Sequence, residues 1–378
     1  MRKCVSLFSG GGGLDLGLEA AGFRTILATD IDQHSCTSLE HNKREARKKR
    51  KPFLRHSKIF CEDVTKLTGA KILKAAGLRK GDLDLLAGGP PCQAFSVFGR
   101  RKGRNDPRGQ LVFHYLRLIN ELQPKVFVFE NVYGLLTIEQ GAIFNELVER
   151  FSQPQPGLKY TLSTHRINAA DFGVPQFRDR VFIIGSRNGM MVKEIEALCS
   201  NQQDLFSSKY PWRTVADALR NLPPMGRKGI FNHTGRKHSE RIKKRYTNMS
   251  FGERDHFTRI NRLNPHSPSF TIIVGSDAGG GKGHVHPYKA REVTPRESAR
   301  IQCFPDWWWF SGTSRHPIRQ IGNAVPTLMA AAIGREIMGE IFGEKKAPFC
   351  KIVDLLDQKH LFTKQELKSL LKLDRVGR

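Results

Sequence analysis

Residues 4–32 read CVSLFSGGGGLDLGLEAAGFRTILATDID, and this stretch decides the fold that we predict for the chain. Cys4–Phe8 is apolar and predicts a strand, Ser9–Gly13 is a glycine-rich turn, and Leu14–Ala21 has the spacing of a helix. Residues 24–29 predict a second strand. Strand, turn, helix and strand in this order indicate the start of a parallel α/β sheet.

The glycine turn indicates a nucleotide site. Asp30 lies 20 residues after Gly10, a spacing that is typical of a carboxylate that binds a ribose next to a glycine turn. Asp15 stands where a dinucleotide fingerprint has its third glycine, which argues against a pyrophosphate-binding site. The pattern suits a nucleoside cofactor without phosphates, such as S-adenosyl-L-methionine. A purely structural glycine turn is the alternative.

Four polar side chains each follow a predicted strand: Asp30, Asp63, Cys92 and Glu130. In a doubly wound sheet the carboxyl ends of parallel strands meet at one edge, where ligands bind. We therefore predict an α/β fold with a doubly wound, mostly parallel sheet of the Rossmann-like type. The four side chains are expected to converge on one cleft.

The segment GGPPCQAFS, residues 88–96, carries the strongest candidate nucleophile. Cys92 follows an apolar strand and two prolines, which fix two φ angles and stiffen the loop. Arg100 and Arg101 come soon afterwards, and nearby cations favour the thiolate. We expect residues 97–110 to form a mobile lid over the site. The alternative is a buried structural cysteine.

Composition restricts the partners and the compartment. The chain has 378 residues, a net charge of +26 and a pI of about 10.1, which favours a polyanion such as nucleic acid. There is no long apolar run, so we expect no membrane contact, and we expect no signal peptide. The seven cysteines form no CxxC pair, and His284 and His286 lack a third ligand, so no metal is expected. We expect a cytoplasmic, nucleoid-associated protein.

We predict four regions along the chain. Residues 1–186 and 291–344 form a catalytic and cofactor-binding domain, which is interrupted by a smaller, loop-rich target-recognition domain at 187–290. This insertion holds 18 Lys and Arg against 8 Asp and Glu, which suits phosphate contact and base reading. A basic surface without specificity is the alternative. Residues 345–378 predict a tail of short amphipathic helices, to which we assign no function.

Two further features concern charged segments outside the predicted site. The basic run KREARKKRK, residues 43–51, is either a solvated helix or loop or a contact to the DNA backbone. Thr363 and Glu366 in the tail have the spacing of a capping box, which predicts the start of a helix.

Taken in order, the motifs resemble the DNA cytosine-5 methyltransferase family, in its stand-alone prokaryotic restriction–modification form. The resemblance runs from Val5 to about Met338 and rests on FSGGGGLDLG, GGPPCQAFS, ENV, QFRDR, TPRESARIQCFP and QIGNAVP. It implies transfer of a methyl group from S-adenosyl-L-methionine to C5 of a cytosine in a specific sequence of double-stranded DNA. It also implies a flipped-out target base and a cognate restriction endonuclease that acts on the same site. We expect a monomer.

The resemblance also implies roles for individual residues. Cys92 attacks C6 of the base, Glu130 in protonated form donates to N3, Arg180 holds O2, and Arg178 lies beside it. Ile31 packs on the adenine of the cofactor. The residues expected to bind the cofactor are Phe8, Ser9, Gly10, Gly12, Asp30, Ile31, Asp63, Val64, Pro90, Leu111, Asn323, Ala324 and Val325. Those expected to contact DNA are Gln93, Ser96, Arg100, Arg101, Arg108, Lys237, Arg241, Lys244 and Thr271.

Three other functions compete with this hypothesis. An RNA cytosine-5 methyltransferase shares the architecture, and the large basic insertion argues for DNA instead. A catalytically silent DNA-binding protein is disfavoured by the set Cys92, Glu130 and Arg180. A nicotinamide dehydrogenase is disfavoured by Asp15 and by the charge of the chain. The pattern does not reveal which DNA sequence is recognised.

Overall fold

A seven-stranded sheet forms the centre of the molecule. The structure is a computed structural model, and it describes residues 1–91, 111–201, 209–272, 274, 283–313 and 315–376. The strand order is β3-β2-β1-β4-β5-β7-β6; β1 to β5 pair in parallel, and β7 runs antiparallel to both of its neighbours. The predicted doubly wound, mostly parallel sheet is therefore confirmed. The strands are β1 Lys3–Leu7, β2 Arg24–Asp30, β3 Lys58–Cys61, β4 Leu85–Gly88, β5 Val126–Val132, β6 Thr161–Asn168 and β7 Asp179–Ser186.

Helices cover both faces of this sheet. Among those described, none is long and apolar enough to cross a membrane. In the first half of the chain they are α1 Gly13–Ala20, α2 Gln33–Lys48, α3 Gly69–Ala76, α4 Leu111–Leu122 and α5 Ala142–Ser152. In the second half they are α6 Val215–Leu219, α7 Glu240–Asn248, α8 Pro295–Ile301, α9 Arg315–Asn323, α10 Thr327–Glu336, α11 Phe349–Leu355 and α12 Lys364–Val376.

The two faces of the sheet have separate hydrophobic cores, because successive side chains of a strand point to opposite sides. Val5 and Leu7 of β1 belong to the core that includes residues of α3, α4 and α5. Cys4 belongs to the other core, which includes α1, α10 and the buried Trp308. Trp307 is buried in this same core.

The register of the strands aligns their carboxyl ends at one edge. Leu7 at the end of β1 pairs with Thr29 of β2 and with Gly88 of β4, and Gly88 pairs with Phe129 of β5. Because β7 is antiparallel, its first residues lie at this same edge, and Arg180 pairs with Val132. The edge therefore receives the carboxyl ends of the five parallel strands and of β6, together with the beginning of β7.

The described part of residues 187–290 has little regular structure, as its composition predicts. Beyond α6 and α7 it contains two strands of two residues each, Cys199–Ser200 and Tyr210–Pro211. A small core of Tyr246, Met249, Ile260 and Val285 lies in its second half. Arg262 holds this unit together, because its guanidinium donates to the carbonyls of Tyr246, Thr247, Met249 and Pro287.

The C-terminal tail consists of helices, as predicted, and it packs onto the rest of the chain. Phe349 and Ile352 belong to the same hydrophobic core as α1 and α10. Glu366 forms an ion pair of 2.8 Å with Arg213, whose side chain is 4% exposed. Thr363 and Glu366 exchange the backbone-to-side-chain hydrogen bonds of the predicted capping box.

The tail also meets the basic run that follows the second strand. Lys51 Nζ lies 2.9 Å from an oxygen of Asp357 and 3.3 Å from the carbonyl of Leu355. Within the run, Lys48 pairs with Glu45 one turn earlier on α2. Lys51 therefore anchors the tail, while most of the remaining cations in this run lie on a solvated helix.

Candidate active site

One large cavity opens at the carboxyl edge of the sheet. Its volume is about 720 Å³, and its walls include Asp30, Asp63 and Glu130, which the sequence predicts to converge there. All but one of the residues expected to bind the cofactor lie on its walls: Phe8, Ser9, Gly10, Asp30, Ile31, Asp63, Val64, Pro90, Leu111, Asn323, Ala324 and Val325. The roles of these residues stay predictions.

Gly12 is the residue that departs from this pattern. It begins α1 with a φ of +83°, and a Cβ placed on it would lie 2.8 Å from the indole of Trp308 and 2.9 Å from Leu39. Trp308 Nε1 also donates a hydrogen bond of 2.9 Å to the carbonyl of Gly11. Gly12 therefore permits close packing behind the loop and does not line the cavity. The expected contact between Gly12 and the cofactor stays a prediction.

Asp30 is fixed by the glycine turn. One carboxylate oxygen accepts a hydrogen bond of 2.7 Å from the N–H of Gly10, and the other accepts one of 2.9 Å from the N–H of Asp32. Burial raises the pKa of Asp30, and these backbone hydrogen bonds oppose that effect. Phe8 makes the turn possible with a φ of +56°. The carboxylate is thus held rigidly against the loop.

An apolar surface lies beside this carboxylate. The side chain of Ile31 is exposed to the unusual extent of 69%, although it is large and hydrophobic. Asp63 lies on the same cavity wall, with one oxygen accepting a hydrogen bond from the N–H of Thr65. An exposed apolar side chain flanked by two carboxylates suits a flat ring with a polar edge and a ribose with two hydroxyls.

Glu130 and Arg180 contact one another at the other end of the cavity. Arg180 Nε lies 2.8 Å from Glu130 Oε1, and both side chains are largely buried. The position of Arg180 follows from the antiparallel pairing of β7 with β5. We expected Glu130 to donate to N3 of the base in protonated form, and this role stays a prediction.

The start of the nucleophile loop touches the same acid. A Cβ on Gly89 would lie 2.4 Å from Glu130 Oε2, so only glycine permits this approach. Asn131 Nδ2 donates a hydrogen bond of 3.1 Å to the carbonyl of Pro90. The loop and the end of β5 are therefore held together up to Pro91, after which Cys92 follows in the sequence.

Arg178 lies on the cavity wall and is turned toward a different partner from Arg180. Its side chain is buried, and Nη2 donates a hydrogen bond of 2.8 Å to the carbonyl of Gly322. Burial, followed by the charge of Arg180, lowers the pKa of Arg178 well below its usual value, and Glu130 opposes the shift. Arg178 thus connects the QFRDR segment to the residue that precedes Asn323.

Several predicted residues fall outside the described part of the chain. These are the nucleophile Cys92 and the expected DNA contacts Gln93, Ser96, Arg100, Arg101 and Arg108, together with the expected lid at 97–110. Of the described DNA candidates, Lys237, Arg241 and Lys244 are exposed, the last two on α7. We refer to these three as the recognition cations. Thr271 lies on the cavity wall and donates to the carbonyl of Phe177.

The two histidines considered as metal ligands have protein partners. His284 contacts the carbonyl of Thr271 and the N–H of Asn261, while His286 lies 3.5 Å from Glu297 and accepts from the N–H of Tyr288. In the described ranges, no group of three or more His, Cys, Asp or Glu side chains is arranged to hold a metal ion.

Sequence reasoning missed one pair of side chains on the cavity wall. Arg319 Nη2 lies 2.9 Å from Asp32 Oδ1, and both residues line the cavity. The pKa of Asp32 is lowered. Burial by itself would raise it, but the hydrogen bonds from Ser35 and the charge of Arg319 outweigh this effect. The available signal was the spacing of Arg319 and Asn323, which places them on one face of a helix.

The sheet order and the cavity at its carboxyl edge define a Rossmann-like methyltransferase. A solved structure with the same fold is described as a DNA modification methyltransferase that is encoded within a prophage of Escherichia coli. It is 31% identical, with a TM-score of 0.69, and the match covers 90% of this chain and all of that one. The Dnmt2 methyltransferase of S. pombe, at 18% identity and a TM-score of 0.61, shares the fold, with 89% of this chain and 98% of that one covered.

Sequence comparison identifies the family. The chain belongs to the C-5 cytosine-specific DNA methylases, whose family model matches residues 2–339, and the predicted resemblance is confirmed. It is 33% identical to the Type II methyltransferase M.XorII of Xanthomonas oryzae pv. oryzae, over 91% of this chain and 86% of that protein. It is also 33% identical to M.Eco47II of Escherichia coli, over 88% of this chain and 78% of that protein. The protein is thus a DNA (cytosine-5) methyltransferase.

Proposed function

We propose that the protein transfers the methyl group of S-adenosyl-L-methionine to C5 of one cytosine within a specific double-stranded DNA sequence. The observation that carries this proposal is the cavity itself. It joins the Asp30 turn at one end to Glu130, Arg180 and the start of the nucleophile loop at the other. A cofactor and a base can therefore meet in a single cavity.

The residues of the first end fit the cofactor. Asp30 would bind the ribose hydroxyls, Ile31 would pack on the adenine, and Asp63 would accept from the adenine amine, since these side chains share one wall. Asn323 and the glycine turn would enclose the methionine end. When bound there, S-adenosyl-L-methionine supplies an electrophilic methyl group on a sulfonium.

The residues of the second end would activate the base. C5 of cytosine is a poor nucleophile, so we propose that the thiolate of Cys92 first adds to C6 and converts the ring into an enamine. Negative charge then develops toward N3 and O2. Glu130 would donate a proton to N3, and Arg180 would donate hydrogen bonds to O2. C5 takes the methyl group, and a base then removes the C5 proton as the thiolate of Cys92 is expelled. N3 returns its proton to Glu130 in the same elimination.

The ion pair between Glu130 and Arg180 has to change during this sequence. Its separation is 2.8 Å, so a base cannot lie between these atoms without displacing one of them. Donation to N3 requires a protonated Glu130. We propose that the hydrogen bond donated by Arg180 Nε changes its acceptor, from Glu130 to O2 of the entering base. Before a base enters, the ion pair gives each of these two buried groups a hydrogen-bonding partner.

The target base would have to leave the duplex to reach this cavity. Unstacking costs a few kcal/mol, roughly 2–4, which contacts in the pocket and on the phosphates offset. The recognition cations are exposed on or next to α7 and are suited to phosphate contact. We propose residues 187–290 as the target-recognition domain, and a cognate restriction endonuclease of the same specificity as the functional partner.

The decisive experiment compares Cys92→Ser with Cys350→Ser, a change in α11 of the tail. Both variants should bind S-adenosyl-L-homocysteine like the wild type, and only Cys92→Ser should fail to transfer labelled methyl groups to duplex DNA. Wild-type enzyme should also form a covalent complex with DNA that contains 5-fluorocytosine. Normal turnover by Cys92→Ser would refute the covalent mechanism. Methyl transfer to tRNA in preference to DNA would refute the choice of substrate.

A further inference from the structure

Two cofactor-facing segments from distant parts of the chain are joined at the mouth of the cavity. The first is the turn from Asp30 into α2, and the second is α9, which ends at Asn323. The two meet along a surface that we call the α2–α9 seam, formed by Asp32, His34 and Ser38 on one side. On the other side lie Ser311, His316, Arg319 and Gln320.

The inner layer of the seam is buried and hydrogen-bonded. Ser38 Oγ donates a hydrogen bond of 2.6 Å to Gln320 Oε1 and accepts one of 2.8 Å from the N–H of Ser311. Gln320 Nε2 in turn donates to the carbonyl of Ser311 at 2.9 Å. Since Ser38 and Gln320 are buried, this layer is the fixed part of the seam.

The outer layer is partly exposed and is held by charge and ring contact. The Arg319–Asp32 ion pair has a separation of 2.9 Å, with 39% and 26% of the two side chains exposed. The rings of His34 and His316 lie 3.9 Å apart between centroids. Such a layer can open without disturbing the buried one, because exposed ion pairs contribute little to folding stability.

We propose that Arg319 and Asp32 form a latch that retains the cofactor and has to open for its exchange. Both side chains line the cavity, and the peptide segments they join carry Asp30 and Asn323, which would bind opposite ends of the cofactor. When the ion pair is formed, it fixes the distance between these two segments. This inference rests on the proposed function, because it requires the cofactor to occupy this cavity.

Substitutions can remove the ion pair while sparing the local fold. Asp32 also caps α2 by accepting from the N–H of Ser35 at 2.9 Å, and asparagine caps helices as well as aspartate does. Asp32→Asn therefore deletes the charge and keeps the cap. Arg319→Gln deletes the partner charge and keeps a hydrogen-bonding side chain. Arg150→Gln, which breaks an exposed pair with Glu146 on α5, is the matched control.

The experiment measures the dissociation rate of labelled S-adenosyl-L-homocysteine from the full chain, chased with unlabelled compound at two salt concentrations. Each latch variant should release the compound about two- to five-fold faster, the range expected for an exposed ion pair. The double variant should be no faster than either single variant, because one interaction is lost in all three. High salt should accelerate release from the wild type and from Arg150→Gln, and have a smaller effect on the latch variants.

The outcomes separate the latch from the site. Failure of the wild type to bind the compound would overturn the proposed function. If the wild type binds the compound and Arg319→Gln and Asp32→Asn release it at the wild-type rate, the latch is overturned and the proposed function is not. Additive effects in the double variant, or a fall in thermal midpoint with unchanged release, would also overturn it. A rise in KM for S-adenosyl-L-methionine with unchanged KM for DNA would support it.

Discussion

The close approach of Gly89 to Glu130 makes the substitution Gly89→Ala a stringent test of the active-site geometry. The added Cβ would lie 2.4 Å from Glu130 Oε2 and 3.5 Å from Glu130 Cδ. A comfortable carbon–oxygen contact is longer by about 1 Å. Glu130 is 9% exposed and tied to Arg180 at 2.8 Å, so its side chain has little freedom to yield.

Either the acid or the loop must then move, and both movements affect the chemistry. A shift of about 1 Å in reacting groups costs on the order of 100-fold in rate. We expect Gly89→Ala to lower the rate of methyl transfer in a single turnover by this factor. Because Asp30 and Ile31 lie at the other end of the cavity, binding of S-adenosyl-L-homocysteine should change far less.

The assay is single-turnover transfer of a labelled methyl group to duplex DNA, with cofactor binding and thermal unfolding measured in parallel. Gly134→Ala is the control, because a Cβ there meets no described atom within 4 Å and the glycine follows the same strand, β5. A transfer rate for Gly89→Ala within about threefold of the wild type would show that the reacting groups tolerate the shift, and would refute the reasoning.

Three further predictions follow from other parts of the structure. Burial raises the pKa of Glu19 to about 8, so the folded chain retains a proton that the unfolded chain loses above a pH of about 4.3. The free energy of unfolding, measured by urea denaturation, should therefore fall as pH rises from about 4.3 to about 8. Glu19→Gln should make this free energy depend less on pH, and an unchanged dependence would contradict the prediction. Glu366→Gln leaves the buried Arg213 without its anion and should lower that free energy by about 1–3 kcal/mol, with Lys364→Gln as a near-neutral control. Replacing the three recognition cations by Gln should reduce the slope of log K for DNA against log salt by up to about 0.9 per lost phosphate contact, whereas Lys80→Gln, before β4 at the opposite edge, should leave it unchanged.

The residues at strand ends were predictable because the relevant pattern is local. An apolar run followed by a polar residue marks the end of a buried strand, and parallel strands bring such ends together whatever the length of the connections. Asp30, Asp63 and Glu130 were placed correctly on this basis. Arg180 is different, since it lies at the beginning of its strand, and only the antiparallel direction of β7 brings it to the same edge. Nothing local in the sequence of β7 reveals that direction.

The contacts that were missed join segments far apart in the chain. Asp32 and Arg319 are 287 residues apart, and Arg213 and Glu366 are 153 apart. Each of these residues alone has the appearance of an ordinary surface charge. Their pairing depends on how helices pack against the sheet, which single-sequence patterns do not specify. The burial of the tail was missed for the same reason, because an amphipathic helix predicts an apolar face without naming what covers it.

Asp15 occupies the position at which a dinucleotide-binding turn has its third glycine. In dinucleotide sites the third glycine allows the helix to pack closely on its strand. Here Asp15 is fully buried at that position, and burial raises its pKa to about 6. The close approaches are made elsewhere: a Cβ on Gly13 would lie 2.2 Å from the carbonyl of Val325, and one on Gly17 would lie 2.4 Å from Ala330. The glycines of this helix thus accommodate the QIGNAVP segment and α10, which close the cavity from the far end of the chain.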